Sequence, residues 1–151
     1  MANTQAMCTS FKGELLVGHH NFGTGVTRGS TAADTFKAAL YLASATVNAS
    51  TTAYSATNEV SGTGYTAGGV TVTFGTAPST SGTTAFVTPS ASISFTTVTL
   101  STAFDAVLIY NSTQSNKAVS VHTFGSQTVT AGTFTLTMPT NDASTGLIRI
   151  A

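Results

Sequence analysis

From Val70 to the C-terminus the chain keeps returning to one pattern, a large apolar residue alternating with Thr or Ser. It runs through Val70-Thr71-Val72-Thr73-Phe74, Ala91-Ser92-Ile93-Ser94-Phe95, Ala118-Val119-Ser120-Val121-His122-Thr123-Phe124 and Thr133-Phe134-Thr135-Leu136-Thr137-Met138. A period of two puts the apolar set on one side of an extended chain and the hydroxyl set on the other, which a helix of 3.6 residues per turn cannot do. Thr and Val are β-branched and suit a pleated, half-buried surface. Short runs at 84–87, 98–100 and 147–150, a nearly continuous apolar run at 104–110 and a Phe36–Leu42 run complete about eight strand candidates, separated by Gly, Asn, Ser and Pro. The pattern predicts an all-β domain, an antiparallel β-sandwich or jelly roll, with 104–110 as a central strand. Phe36, Leu40, Leu42, Val72, Phe74, Ile93, Phe95, Val107, Ile109, Val119, Val121, Phe134 and Leu136 are the expected core.

Two stretches depart from the pattern. Residues 4–18 carry Met7, Phe11 and Leu15 at helical spacing, with Gly18 as a stop, and predict a short helix. Gly13 weakens it, and a helix this short is marginal alone, so it needs a surface to lie on. Together with the Gly- and Thr-rich segment that follows, it reads as an N-terminal helix and extended arm over 1–34, attached to a β-sandwich domain over 35–151. The arm is expected to act as a docking element outside the sandwich core, so that its removal leaves a folded β-domain. Residues 43–69 form a long Ala, Ser, Thr and Gly stretch whose length marks it as a candidate contact loop carrying Tyr54 and Tyr65. The candidate contact residues are therefore Met7, Phe11, Leu15, Tyr54 and Tyr65.

Charge excludes several classes. Lys+Arg and Asp+Glu number 5 each, only 7% of residues are charged, and Thr and Ser supply the polarity in their place. A chain with no basic cluster lacks the footprint that nucleic-acid affinity requires. No apolar run is long enough for a membrane-spanning helix, and no basic, apolar leader is evident at the N-terminus. The one cysteine, Cys8, can form neither an intrachain disulfide nor a cysteine-rich zinc site. Low charge and a mean hydropathy of +0.24 suit a subunit that buries much of its outside against other subunits, a homo-oligomer included.

Nothing in the residues selects a reaction. The adjacent His19 and His20 point to different sides of an extended chain or helix, with no carboxylate at ligand spacing, so they read as a polar hinge and not as a metal site. Asp105, His122 and a serine allow a triad on paper, but no Gly-x-Ser-x-Gly elbow selects the serine. His122 shares its strand face with Ser120 and Phe124 and reads as a half-exposed strand residue. Gly62-Thr63-Gly64 lacks the Lys and the following helix of a phosphate loop. Tyr41, Tyr54, Tyr65 and Tyr110 are candidates for a sugar platform, with core and strand-edge positions the commoner outcome. No catalytic residue, cofactor or metal is expected, and the chain is not expected to be an enzyme.

The block Thr57-Asn58-Glu59-Val60-Ser61-Gly62-Thr63-Gly64-Tyr65-Thr66-Ala67-Gly68-Gly69, following Phe36-Lys37-Ala38-Ala39-Leu40-Tyr41, resembles a family of small virion proteins of tailed bacteriophages. Ser10-Phe11-Lys12-Gly13-Glu14-Leu15-Leu16 and the segment from Thr133 to Asp142 are similar to members of the same group. The resemblance implies a structural role in the virion, assembled in the host cytoplasm, with the major capsid protein or other virion proteins as partners. It implies head decoration (a cement protein) first. A neck, tail or fibre-base component is the alternative, and a carbohydrate-binding module for host attachment is a third reading. It brings no catalytic residues.

Overall fold

The computed structural model describes residues 3–16, 18–24 and 33–151. Its strands are β1 (Ala6–Met7), β2 (Phe36–Leu42), β3 (Val70–Val72), β4 (Ser79–Ser81), β5 (Thr84–Val87), β6 (Ile93–Asn111), β7 (Lys117–Leu136) and β8 (Ile148–Ile150), with one helix, α1 (Thr9–Leu16). Every pairing is antiparallel: a five-stranded sheet in the order β1-β7-β6-β2-β3 and a three-stranded sheet in the order β4-β5-β8. The chain is an all-β sandwich with a short N-terminal helix, and residues 104–110 lie in its central strand, β6.

Five expected runs make only two long strands. Those at 91–95, 98–100 and 104–110 join as β6, and those at 118–124 and 133–138 join as β7, forming a hairpin from Ile93↔Leu136 to Asn111↔Lys117. Its register slips repeatedly between Phe95 and Ala106, with Thr97 at φ 54° and Ala131 at φ 47° taking up the irregularity. Such bulges bend a strand and increase its twist. The bend is large: Phe95 and Phe104 are nine residues apart on β6 (104 − 95), about 30 Å if straight. Yet the Phe104 ring lies 5.0 Å from Phe134, the direct partner of Phe95. The far half of the hairpin therefore turns back over the near half, and Phe104, Phe124 and Phe134 close the fold between them.

Register assigns the two faces of the near half. Phe36, Ala38 and Leu40 of β2 pair with Asn111, Ile109 and Val107, and the last two pair onward with Ser120 and His122. This face meets the turned-back hairpin and the aromatic cluster around Phe22. The opposite face carries Ala39, Tyr41, Ala106, Leu108, Tyr110 and Val121, and segment 43–69 crosses it, as the Tyr54–Tyr110 stacking and the Tyr41–Ser55 bonds show. The expected core residues are buried except Leu42, Phe134 and Leu136, which are half-buried against the core.

The N-terminal expectation needs correction. Residues 6 and 7 pair with Val121 and Ser120 at the edge of β7, and Asn3 and Thr4 bond to the 42–47 segment, so the helix begins only at Thr9. Tertiary pairing overrides the helical spacing, and Met7 does not share a helix face with Phe11 and Leu15. Gly18, at φ 69°, donates to the Leu15 carbonyl just past the helix, as expected of a terminating glycine. The arm is not outside the core: Cys8, Phe11 and Phe22 are buried within it. Phe22 stacks on Phe36 at 4.5 Å and meets Phe74 edge-on at 4.8 Å. A boundary at residue 34 thus cuts through one packed cluster.

Candidate functional site

The 43–69 segment is fastened through one carboxylate. Glu59 is buried, and its Oε2 accepts from the Tyr54 hydroxyl at 2.7 Å. Its Oε1 accepts from the Tyr65 hydroxyl at 2.7 Å and the Gly68 amide at 2.8 Å. The Tyr65 oxygen in turn accepts from the Leu40 amide of β2 at 3.0 Å, and Tyr110 donates to the Gly68 carbonyl at 2.8 Å. Isolated bridges Tyr41↔Glu59, Ala53↔Lys117 and Thr63↔Thr99 add backbone ties. At Gly69, with φ 71°, a Cβ would lie 1.7 Å from the Ala38 carbonyl oxygen, so only glycine allows this approach to β2. Burial first, and the Glu59 charge with it, raises the Tyr54 and Tyr65 hydroxyls well above the usual tyrosine value. Burial likewise pushes Tyr41 up to about 12. All three stay protonated donors at neutral pH.

The proposed contact tyrosines are therefore anchors. Tyr54 and Tyr65 are half-buried with their hydroxyls turned onto Glu59, Tyr54 stacks on Tyr110, and Tyr65 stacks on Phe95. Tyr41 donates to the Ser55 carbonyl, so the hydroxyls of all four tyrosines are committed inside the fold and do not form an outward platform. Of the arm candidates, Phe11 is fully buried and cannot touch a partner, while Met7 and Leu15 are half-buried. The structure does not bring these five residues together into one site. Sequence reasoning missed the Glu59 hub, although a lone carboxylate among three tyrosines in an otherwise uncharged stretch was a readable signal.

A second polar knot pins the arm. Asp34 Oδ2 accepts from the Asn111 side-chain amide at 2.7 Å and the Asn21 backbone amide at 3.0 Å, and its Oδ1 accepts from Gln114 at 3.3 Å. His20 is buried, with Nδ1 3.2 Å from the same Asn111 amide, and Phe11 packs edge-on against its ring. His20 thus belongs to the join between helix and sheet. Among the described residues no group of three His, Cys, Asp or Glu is placed to hold a metal ion.

Of the paper triad, His122 meets a serine while Asp105 is engaged elsewhere. Asp105 accepts from the Asn3 side chain, whereas His122 Nε2 lies 2.9 Å from Ser120 Oγ on its own strand. Burial lowers the His122 pKa from 6.5 to about 4. The unfolded chain therefore takes up this proton first as pH falls. The contribution of His122 to stability is complete above pH 6.5 and is lost on the way down to pH 4, a change on the order of 2–3 kcal/mol. Urea unfolding across this window is expected to show a steeper acid loss for the wild type than for His122→Leu; equal slopes would contradict the assignment.

Among the described residues, long stretches of the exposed surface carry no charge. No Asp, Glu, Lys or Arg occurs between Glu59 and Asp105, or between Lys117 and Asp142. Those spans supply the exposed hydroxyl and glycine surface at 61–64, 96–97, 101–102 and 125–128, on the outer hairpin and the loop beside it. No family model, curated protein or solved structure matches the chain.

Proposed function

We propose that the chain is a structural protein of a bacteriophage virion and, more specifically, a decoration protein that binds the assembled head as a symmetric oligomer and braces it. The observation that carries this reading is the uncharged outer surface of the bent hairpin and the 61–67 loop, presented by a tightly anchored scaffold. Burying such a surface strips no charges of water, and its hydroxyls exchange water for partner hydrogen bonds at little net cost. The sequence resemblance to phage virion proteins points the same way. A protein that binds only the assembled lattice stabilises it by mass action, by about 2.7 kcal/mol at a hundredfold excess over Kd.

Quantitative mass spectrometry of purified particles tests the reading. Hundreds of copies per particle are expected, and occupancy should hold in roughly half-molar NaCl, where exposed charge pairs are screened within about 4–5 Å. A handful of copies would move the protein to the neck, tail or fibre base. Its absence from particles would end the structural reading.

A further inference from the structure

We propose that the crook of the bent β6–β7 hairpin is a binding site for a small uncharged aromatic molecule bearing one hydroxyl, with His122 as its polar contact. This goes beyond the virion reading and does not depend on it. The hairpin's turn leaves a cavity of about 130 Å³ between its halves, lined by Val107, Ile109 and His122 from the near half and by Ile93, Leu136 and Met138 from the far half and its continuation. An apolar protein cavity of about 150 Å³ is known to stay dry and admit benzene, so a single ring is the right size. The lining resists collapse, because Val107, Ile109 and Ile93 are β-branched, stiff at χ1 and held on paired strands.

The imidazole gives the cavity its chemical preference. Ser120 engages Nε2, and Nδ1 is the second nitrogen, an acceptor or a donor according to tautomer. A phenolic hydroxyl can answer either. Burial keeps the ring neutral at pH 7, which favours an uncharged ligand over an anion. A mostly apolar pocket with a few polar side chains, here His122 beside Thr123 and Thr137, of which one titrates abnormally, is the arrangement from which small-molecule sites are built.

The test uses the whole protein with its methionine methyl groups labelled with carbon-13, titrated separately with benzene and phenol. Met138 lines the cavity. Gly68, whose amide is held by Glu59 in the segment that crosses the opposite sheet face, gives a reference signal when the protein also carries nitrogen-15. Both probes are expected to shift the Met138 methyl saturably and leave the Gly68 amide unmoved, with phenol the tighter. Leu136→Phe, and independently Ile93→Phe, should fill the space and abolish the shift while the Gly68 amide reports an intact fold. His122→Leu should weaken phenol about fivefold and leave benzene unchanged, the effect of one net hydrogen bond. No saturable shift with either probe, or a shift that survives both filling variants, overturns the site. Equal effects of His122→Leu on the two probes overturn the role of the imidazole.

Discussion

Glu59→Ala is expected to destabilise the protein by about 3–5 kcal/mol, although the residue makes no contact with the aromatic core around Phe22. The substitution removes the common acceptor of the Tyr54 hydroxyl, the Tyr65 hydroxyl and the Gly68 amide. Each donor stranded in a buried position costs about 1–3 kcal/mol, and Tyr54, being half-buried, recovers part of its loss through water. Glu59→Gln retains one acceptor oxygen for Tyr65 and Gly68 and should cost less, about 1–2 kcal/mol by the same reasoning. Urea unfolding measures both. A loss under about 1 kcal/mol for Glu59→Ala would mean that the backbone bridges alone hold the segment. Tyr65→Ala should follow the Glu59 variant, because its oxygen links Glu59 to the Leu40 amide of β2. It is therefore unsuitable for probing a surface contact in isolation.

The strands were legible because their signal is local. Alternation of Thr with large apolar residues reports which side of an extended segment is covered, and Val70–Val72, 93–95 and 118–124 lie on strands as that reading puts them. The sequence also changes parity between Phe95 and Val98, from apolar residues at 93 and 95 to apolar residues at 98 and 100, and this change marks the first of the bulges that bend β6. What it could not convey is that several bulges act in series and fold one hairpin over itself. That outcome depends on Phe104 and Phe134 finding each other, a contact between positions thirty residues apart (134 − 104). The same limit explains the N-terminus. Helical spacing at Met7, Phe11 and Leu15 is a weak preference, and it yields wherever two residues can instead complete the edge of a sheet, as Ala6 and Met7 do on β7. The Glu59 hub is marked in the sequence by composition alone. A lone carboxylate near Tyr54 and Tyr65 stands out, but the partners that bury it are assembled from β2, β6 and the loop itself.

Removing residues 1–34 is expected to abolish cooperative folding, the opposite of what a detachable arm would show. The deletion takes away Phe11 and Phe22, both buried, and leaves Phe36 and Phe74 facing water where Phe22 had covered them. Truncating one buried Phe to Ala costs about 3–5 kcal/mol. Two such losses approach or exceed the total stability of about 5–15 kcal/mol available to a domain. Asp34 goes as well, leaving the buried Asn111 side chain without its carboxylate acceptor, and β7 loses the pairing of Ala6 and Met7. Phe22→Ala alone isolates the packing term and should cost about 3–5 kcal/mol while preserving a cooperative transition. Thermal melts followed by far-ultraviolet circular dichroism, with amide chemical-shift dispersion as a second readout, separate the outcomes. A truncated chain with a sharp transition and dispersed amides would show that the sandwich closes without Phe11 and Phe22, and that the aromatic cluster they build is an attachment to the core and not part of it.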